Sequence, residues 1–369
     1  MKEFIKPDWE NSILNVSATF AEFLGVENNN KTLPILVNEL KKDYKNVVFI
    51  CLDGLGKSVI ETHLKETDFL RINMKGALTS TFPSTTTNAT TTLGLNKYPL
   101  THGWLGWTVH FDEIGRNIDI YTHEDAEKLE TVDFEYPLLD NGDYYFTKAK
   151  SEYNVTAIMP EYVKVNGMDK IVVTDEDDLC STIKTVCLRS GKQFIYAYFP
   201  EPDKTMHHAG VNSIEARQKI EELNSKLENL FEKLNDTLVV ITADHSHIDI
   251  LGYVEFYKDQ ELYCLLECPP YLDGRAVAFR VKNDKKEEFA KGFKEKYKED
   301  FVLFETKWLI ENNYFGKGDF GYLLGDFIAV GTSTNKQFLP YSHSPRLKGH
   351  HCSLTRAEMT VPLIILNKK

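Results

Sequence analysis

The sequence predicts an α/β fold built around an open parallel sheet, and two observations carry this prediction. Continuous apolar runs are typical of strands buried on both faces of a sheet, and three are present: VVFICL, FIYAYF and LVVITA. Segments with apolar residues at helical spacing follow the first two of these runs. The 369 residues suffice for one large α/β domain with an insertion, or for two domains.

The composition narrows the class of protein. Hydrophobic residues make up 42% of the chain, with 22 Phe and 18 Tyr, as in a globular protein. The formal net charge of −12 argues against a general nucleic-acid-binding protein. The N-terminal MKEFIKPDWENS lacks the apolar core of a signal peptide, and no later run approaches a membrane span. These two observations predict a cytoplasmic protein that does not bind membranes. The six cysteines show no paired CxxC framework, which favours reduced thiols.

The first part of the chain alternates between helical and strand patterns. Residues 1–45 are mostly helical in pattern and are expected to cover one face of the sheet. The run over 46–52 predicts a central strand, and the pattern over 57–65 predicts a helix after it. After an irregular aromatic and acidic region, we expect a helix and a strand between Tyr144 and Met159.

The middle of the chain continues the same alternation. The pattern over 176–190 predicts a helix, and the run KQFIYAYF predicts a strand that ends at Pro200. Ser213 is expected to open a long helix with one apolar face, because serine is a favoured N-cap residue. The run TLVVITADHSH then predicts the third buried strand.

The sequence pattern changes over residues 253–341 and afterwards returns to the pattern of the core. This segment combines short apolar runs such as ELYCLLE and AVAFRV, which predict strands, with a charged helix near 285–297. We expect it to be an inserted cap subdomain. The core then comprises residues 1–252 and 342–369, and its last strand is TVPLIIL.

The stretch from Ala77 to Trp107 places a cluster of hydroxyl groups where a strand turns into a helix. It holds a short β-favouring run, the breaker Pro83, the hydroxyl cluster and a helix-length segment that Gly94 and Pro99 bring to an end. The free N–H groups of a first helical turn hold anions, so this is a suitable place for a nucleophile. Taken alone, such hydroxyls more often only cap helices.

Aspartates follow each of the three apolar runs. Asp53, Asp203 and Asp244 are expected to converge, because ligands bind at the carboxyl ends of the strands in open parallel sheets. Histidines accompany them, since His207 follows Asp203 by four residues and His245 is adjacent to Asp244. With His351 before the last strand, these oxygen and nitrogen ligands suit two metal ions about 3.5 to 4 Å apart.

Together these motifs resemble a known family. They are CLDG, FPSTT followed by THG, PDKTMHHAG, TADHSH and GHHCSLTRAEMTVPLI, and they extend from residue 47 to residue 366. Their combination is similar to the nucleotide pyrophosphatase/phosphodiesterase branch of the alkaline phosphatase superfamily. The resemblance implies an alkaline-phosphatase-like, doubly wound and mostly parallel sheet, with helices on both faces and a smaller inserted α+β cap. It also implies a threonine nucleophile and two divalent metal ions, zinc or alternatively manganese.

The resemblance assigns roles to particular residues. Thr86 becomes the nucleophile because it lies sixteen residues before His102, the family spacing between the nucleophile and the His-Gly turn, with Thr85 as the alternative. His102 is then structural. One metal ion is expected on Asp53, Thr86, Asp244 and His245, and the other on Asp203, His207 and His351, whereas His208 and His350 are non-ligating neighbours.

The sequence departs from the family at one position. Many members carry an asparagine five residues after the histidine of the His-Gly turn, where it donates to a substrate oxygen, and this chain has Trp107 there. Trp104 and Trp107 are candidates for stacking on a nucleotide base, with simple packing as the alternative.

These observations predict a metal-dependent hydrolase. It is expected to cleave phosphodiester or pyrophosphate bonds of nucleotides or related small molecules through a phospho-threonine intermediate. A phosphomonoesterase or phosphonate hydrolase on the same core is one alternative, and a catalytically silent metal- or ligand-binding protein is another. No nucleic-acid polymer is expected as a partner, and the oligomeric state stays open.

Overall fold

Two seven-stranded sheets dominate the structure, which is a computed structural model that describes residues 4–369. Two further pairs of short strands complete the β-structure. In chain order the strands are β1 Asn46–Leu52, β2 Met74–Thr79, β3 Thr108–Phe111, β4 Arg116–Asp119, β5 Glu124–Asp125, β6 Asn154–Met159, β7 Lys170–Val172, β8 Gln193–Phe199, β9 Thr237–Thr242, β10 Ile248–Asp249, β11 Gly252–Glu255, β12 Tyr271–Asp273, β13 Ala276–Phe279, β14 Phe301–Glu305, β15 Phe327–Gly331, β16 Lys336–Leu339, β17 Gly349–His350 and β18 Thr360–Lys368.

The α-helices vary from single turns to one long amphipathic helix. In chain order they are α1 Ile13–Phe23, α2 Pro34–Leu40, α3 Lys57–His63, α4 Phe69–Ile72, α5 Thr86–Leu95, α6 Pro99–His102, α7 Glu176–Cys187, α8 Asp203–Ala209, α9 Ile214–Glu232, α10 Gln260–Tyr263, α11 Lys286–Tyr297, α12 Thr306–Glu311 and α13 Arg356–Met359. Short 3₁₀ turns cover Tyr145–Lys148, Phe256–Lys258, Asn283–Lys285 and Phe320–Leu324.

The first sheet forms the core and has the strand order β2-β18-β9-β1-β8-β6-β7. Its neighbouring strands pair in parallel except for β18, which is antiparallel to both β2 and β9. Every residue of β1, β8 and β9 is buried, so both faces of the sheet are covered. The predicted α/β fold with a doubly wound, mostly parallel sheet is confirmed.

The predicted strands and long helices of the core occur close to their expected positions. Ser213 caps α9 as expected, since its hydroxyl accepts a hydrogen bond from the N–H group of Ala216. The expectation of a strand at ELYCLLE is wrong, because residues 260–263 form α10. Asp259 caps this helix by accepting from the N–H group of Leu262, and that local bond favours a helical turn over an extended run.

The second sheet has the strand order β14-β15-β13-β12-β3-β4-β5 and is antiparallel throughout. Four of its strands come from the predicted cap segment, residues 253–341. The other three come from residues 108–125, which were expected to be irregular. The sheet therefore joins two separate parts of the chain, while the domain boundaries at 253 and 341 stay a prediction.

A buried ion pair links the second sheet to the end of the core. Arg275, in the turn between β12 and β13, and Glu358, in α13, are both fully buried. Two hydrogen bonds join them, from Nε to Oε1 at 2.8 Å and from Nη2 to Oε2 at 2.9 Å. Glu358 also accepts from the Thr355 hydroxyl and the Ser353 N–H group. The β12–β13 hairpin is thus tied to the segment that precedes β18.

The cysteines and the helices both relate to the predicted location of the protein in the cell. The six cysteines are unpaired, in agreement with the reduced thiols expected from the sequence. Among the helices of residues 4–369, none combines the length and the apolar character that crossing a bilayer requires. The cytoplasmic location stays a prediction.

We expect Glu358→Ala to lower the free energy of unfolding by about 3 kcal/mol or more, because the substitution leaves a buried guanidinium group without its partner. The exposed pair Arg217–Glu221 provides the control, and Glu221→Ala should cost less than about 1 kcal/mol. Urea unfolding followed by tryptophan fluorescence measures both. Equal effects of the two substitutions would contradict a structural role for the buried pair.

Candidate active site

Three neighbouring strands of the core sheet bring the aspartates together. The strands β9, β1 and β8 are adjacent and parallel, so their carboxyl ends lie along one edge of the sheet. Asp53 directly follows β1, Asp244 lies two residues after β9, and Asp203 begins α8 a short loop after β8. All three side chains are nearly or fully buried at this edge.

Hydrogen bonds between two loops place the hydroxyl cluster over the same edge. The N–H group of Ser84 donates to the carbonyl oxygen of Cys352 at 3.3 Å, and its hydroxyl donates to that of Ser353 at 3.0 Å. The segment that leads into α5 is therefore fixed against the segment that carries His351. In turn β17 pairs with β10, which holds this second segment beside the loop after β9.

One group of side chains surrounds Nε2 of His245. The Thr86 hydroxyl oxygen lies 3.2 Å from this nitrogen. Oδ1 of Asp53 and Oδ2 of Asp244 each lie 3.4 Å from it. These four residues are the ones that the family resemblance assigns to one metal ion, and the structure brings all of them together.

A second group lies beside the first. Oδ1 of Asp203 is 3.4 Å from Nε2 of His207 and 3.7 Å from Nε2 of His351. The two imidazole Nε2 atoms are 3.2 Å apart. Asp203 also comes close to Asp53 and His245, with one ligand atom of each of the three within 4.8 Å of the others. The structure therefore also brings together the residues assigned to the second metal ion, directly next to the first group.

The three histidines of the two groups are held by the same kind of contact. Each Nδ1 atom contacts a backbone carbonyl oxygen, which can only accept a hydrogen bond. The proton is therefore on Nδ1, and Nε2 presents a lone pair toward the centre of the cluster. The three contacts are His207 to Gly349 at 2.8 Å, His351 to Ser84 at 2.9 Å and His245 to Ser246 at 3.2 Å.

The donor atoms fit divalent cations. Oδ1 of Asp53 and Oδ2 of Asp244 are buried without a hydrogen-bond donor, and the Nε2 lone pairs of His207 and His351 face each other. Among the described residues, no lysine or arginine forms an ion pair with these two aspartates or with Asp203. A cation placed among these atoms removes both the unpaired negative charge and the repulsion between lone pairs.

Burial and mutual proximity set the acidity of the carboxyl groups. Burial, and then the charge of Asp244, raises the pKa of Asp53 well above its usual range, and burial also raises the pKa of Asp244. Burial acts in the same direction on Asp203, but the imidazoles of His207 and His247 outweigh it and hold the pKa of Asp203 below its usual range. Asp203 is therefore the carboxylate that stays charged most readily.

The neighbouring threonines Thr85 and Thr86 occupy different surroundings. The hydroxyl of Thr85 is buried and donates to Oδ2 of Asp273 at 2.7 Å. The hydroxyl of Thr86, the first residue of α5, is partly exposed to the cavity and faces His245. Of the two, only Thr86 points its oxygen into the cluster, at the N-terminus of a ten-residue helix.

Sequence reasoning missed His247 and Asp273. Nε2 of the fully buried His247 donates to Oδ1 of Asp203 at 2.7 Å, and burial lowers the pKa of this histidine to about 4. His247 lies in the TADHSH motif, but the motif does not indicate that this histidine contacts Asp203. Asp273 lies in a segment that the motifs do not cover, and its sequence carried no signal.

The remaining histidines differ in their positions. His102 is buried away from the cluster, where it contacts the Thr92 hydroxyl at 3.0 Å and accepts from the N–H group of Trp104 at 3.0 Å. Burial lowers the pKa of His102 to about 3. His208 is exposed on α8. His350 lines the cavity with Nε2 at 3.4 Å from Oδ1 of Asp273.

A cavity of about 840 Å³ opens onto the cluster. Trp107 forms part of its wall, is 39% exposed and stacks on Tyr121 with ring centroids 5.9 Å apart. The Tyr121 hydroxyl in turn lies 3.2 Å from that of Thr90, one helical turn after Thr86. Trp104 does not line the cavity, because its ring is buried against Tyr121 and its Nε1 donates to a backbone carbonyl oxygen.

The fold and the site together define a class of protein. A hydroxyl group at a helix N-terminus faces clusters of aspartates and histidines that could hold metal ions at the carboxyl edge of a parallel sheet, an arrangement that suits a metal-dependent hydrolase of phosphoric esters. The sequence profile of type I phosphodiesterase / nucleotide pyrophosphatase matches residues 47–331. The chain belongs to this family and is a hydrolase acting on phosphoric esters.

Solved structures share the fold. Murine ectonucleotide pyrophosphatase / phosphodiesterase 5 is 16% identical, with a TM-score of 0.64 over 86% of this chain and 87% of that chain. An inactive threonine-to-alanine form of the murine protein, in complex with AMP, gives the same values. Phosphonoacetate hydrolase from Sinorhizobium meliloti 1021, in complex with phosphonoformate, is 13% identical, with a TM-score of 0.63 over 86% and 89% of the two chains. A comparison with curated protein sequences finds no match.

We expect His207→Ala to lower the amount of zinc bound per chain, since the substitution removes one Nε2 donor from the cluster. The matched control is His208→Ala, which changes the exposed neighbour on the same helix and should leave zinc binding unchanged. Zinc bound to the wild type should also decrease as the pH falls, because protons compete for the ligating imidazoles. Elemental analysis after equilibrium dialysis measures all three. Equal zinc contents in the two variants would remove His207 from the site.

Proposed function

We propose that this protein hydrolyses phosphodiester or pyrophosphate bonds of nucleotides or related small molecules, with Thr86 as the nucleophile. The observation that carries the proposal is the position of the Thr86 hydroxyl. It lies at the N-terminus of α5, opens to the cavity and faces the group formed by His245, Asp53 and Asp244. The neighbouring hydroxyl of Thr85 does not combine these properties, because it is bonded to Asp273.

Two divalent metal ions complete this proposal, with zinc as the first choice and manganese as the alternative. Asp53, Asp244, His245 and Thr86 would hold one ion, and Asp203, His207 and His351 would hold the other. Such ions, when bound, make a hydroxyl group more acidic and neutralise the charge of phosphoryl oxygens. The mixture of imidazole and carboxylate ligands is one that zinc accepts readily.

The proposed reaction has two steps, and groups of this chain take part in both. The Thr86 hydroxyl loses its proton as its oxygen attacks phosphorus, and the bond from phosphorus to the departing ester oxygen breaks. The departing oxygen takes up a proton, and a phospho-threonine remains. Water then cleaves the new bond between phosphorus and the Thr86 oxygen, which restores the hydroxyl group. The N-terminal N–H groups of α5 stabilise a phosphoryl oxygen during both steps, because they point out of the first helical turn.

Two further side chains orient the ligands. The Tyr198 hydroxyl donates to Oδ2 of Asp53, which leaves Oδ1 of that carboxylate directed at the cluster. His247 donates from Nε2 to Oδ1 of Asp203 and so fixes the second carboxylate. Such supporting bonds keep ligands in place before a metal ion arrives and lower the cost of binding it.

The relatives support this assignment in different ways. The inactive murine form differs by a threonine-to-alanine substitution and binds AMP, which agrees with a catalytic threonine and a nucleotide ligand in the family. The structural similarity to phosphonoacetate hydrolase supports the alternative, a phosphonate hydrolase on the same core. A catalytically silent binding protein is less favoured, because the expected ligands and the Thr86 hydroxyl are all in place.

The cavity favours an ester with an aromatic group. Trp107 has one face against Tyr121 and is more than a third exposed, so a base that stacks on it extends an existing stack. The tyrosine hydroxyl connects this wall to Thr90 and hence to α5. A nucleoside attached to a phosphate at Thr86 therefore has an aromatic surface beside it, whereas Trp104 lies outside the cavity wall.

We expect Thr86→Ala to abolish turnover of a p-nitrophenyl nucleoside 5′-phosphate while both metal ions stay bound, because six other ligands remain. The matched control is Thr85→Ala, which removes the neighbouring hydroxyl and should retain activity within about tenfold, or about 1.4 kcal/mol in the barrier. Steady-state rates and elemental analysis measure activity and metal content. Loss of turnover in Thr85→Ala with a fully active Thr86→Ala would assign the nucleophile to Thr85.

A further inference from the structure

The strand β12 of the second sheet places a carboxylate next to the nucleophile. Oδ2 of Asp273, the last residue of β12, accepts a hydrogen bond from the hydroxyl of Thr85 at 2.7 Å. Thr85 directly precedes Thr86, and Asp273 lines the same cavity as both threonines. Its side chain is only 10% exposed. The predicted cap segment therefore supplies an acidic group to the wall of this cavity, bonded to the residue before Thr86.

The surrounding structure holds Asp273 in this position. The N–H group of Gly274 donates to Oδ1 at 2.7 Å, and a Cβ atom at Gly274 would lie only 2.5 Å from Nε2 of His350. The next residue, Arg275, is anchored by its two hydrogen bonds to Glu358. Moving the carboxylate away from Thr85 would therefore disturb these contacts.

Asp273 differs from the proposed metal ligands in the hydrogen bonds that its carboxylate accepts. Both of its oxygens already accept hydrogen bonds from this chain, one from Thr85 and one from Gly274. Two accepted bonds suit an ionised carboxylate. Its ion-pair neighbour among the described residues is a histidine, His350, and no lysine or arginine pairs with it. Its negative charge therefore acts on whatever binds beside Thr86.

The cavity has few cations to offset this charge. Lys204 is the one lysine that lines it among the described residues, and no arginine does. Lys204 is exposed on α8, at the second group of ligands. Arg346 does not line the cavity and is paired with Glu255 at 2.7 Å. Among the described side chains that line the cavity, only the exposed Lys204 could therefore offset the charge of Asp273.

We propose that Asp273 determines substrate specificity by disfavouring phosphomonoesters relative to phosphodiesters. This inference rests on the proposed function of the site. A monoester dianion carries one more negative charge than a diester monoanion, and in a partly dry cavity that charge is repelled by a nearby carboxylate. The repulsion acts on both substrates but more strongly on the dianion. Asp273 thereby adds a repulsive element to the attraction that the metal ligands provide.

The test compares Asp273→Asn with a control of equal charge change, Asp319→Asn, at an exposed aspartate outside the cavity. Both variants and the wild type, loaded with zinc, are assayed at alkaline pH with p-nitrophenyl phosphate and bis(p-nitrophenyl) phosphate. In Asp273→Asn the ratio of kcat/KM for the monoester to that for the diester should rise about tenfold, which is about 1.4 kcal/mol. In Asp319→Asn the ratio should stay within about twofold of the wild type.

The outcomes separate a specificity role from a structural one. A parallel fall of kcat/KM for both substrates in Asp273→Asn, with an unchanged ratio, would overturn the proposal, because a merely structural residue affects both alike. If Asp273→Asn fails to fold, Asp273→Ser removes the same charge with a smaller side chain and serves the same comparison. A wild type that hydrolyses neither these two esters nor a p-nitrophenyl nucleoside 5′-phosphate with zinc or manganese would overturn the proposed function itself, and this inference with it.

Discussion

Buried negative charge at the carboxyl edge of the core sheet is the constraint on which the site depends. Asp53, Asp203 and Asp244 lie at the ends of three adjacent strands, and their ion-pair partners among the described residues are histidines alone. Removing carboxylates from water without compensation costs several kcal/mol for each ion. The loops around them direct lone pairs of histidines and unpaired oxygens to the same place, so that a bound cation supplies the missing charge. In the proposed function, the cation that offsets this charge lies beside the Thr86 hydroxyl.

The charge of another buried carboxylate, that of Glu358, is compensated in a different way. Glu358 has an arginine, Arg275, as its internal partner, and the pair is saturated with hydrogen bonds from the chain. This pair needs no ligand, and it connects the second sheet with the segment between His351 and β18. The N–H group of Ser246 also donates to the carbonyl oxygen of Glu358, so the loop that carries His245 contacts the same helix. The carboxylate of Glu358 thus supports the framework, whereas we propose that Asp53, Asp203 and Asp244 bind metal ions.

The core was predicted well from the sequence, because short stretches of neighbouring residues determine its strands and helices. A strand buried on both faces requires a continuous apolar run, and the aspartate at its end was visible beside it for β1 and β9. Thr86 was identified only through the spacing of family motifs, and its distinction from Thr85 depends on a contact with Asp273 that no local pattern reveals. Asp273 reaches the site from a hairpin far along the chain, and the strands over 108–125 join a sheet whose other members lie beyond residue 270. His247 was missed because neighbouring histidines in one loop give no hint of which will contact a ligand from another strand.

The central claim is that this cluster of carboxylates and imidazoles holds two divalent metal ions beside the Thr86 hydroxyl. The most direct measurement is a crystal structure of the active, zinc-loaded protein with anomalous scattering data collected at the zinc absorption edge. The account predicts two anomalous peaks, one among Asp53, Asp244, His245 and Thr86 and one among Asp203, His207 and His351. An active protein without an anomalous peak at this cluster, at either the zinc or the manganese edge, would contradict it.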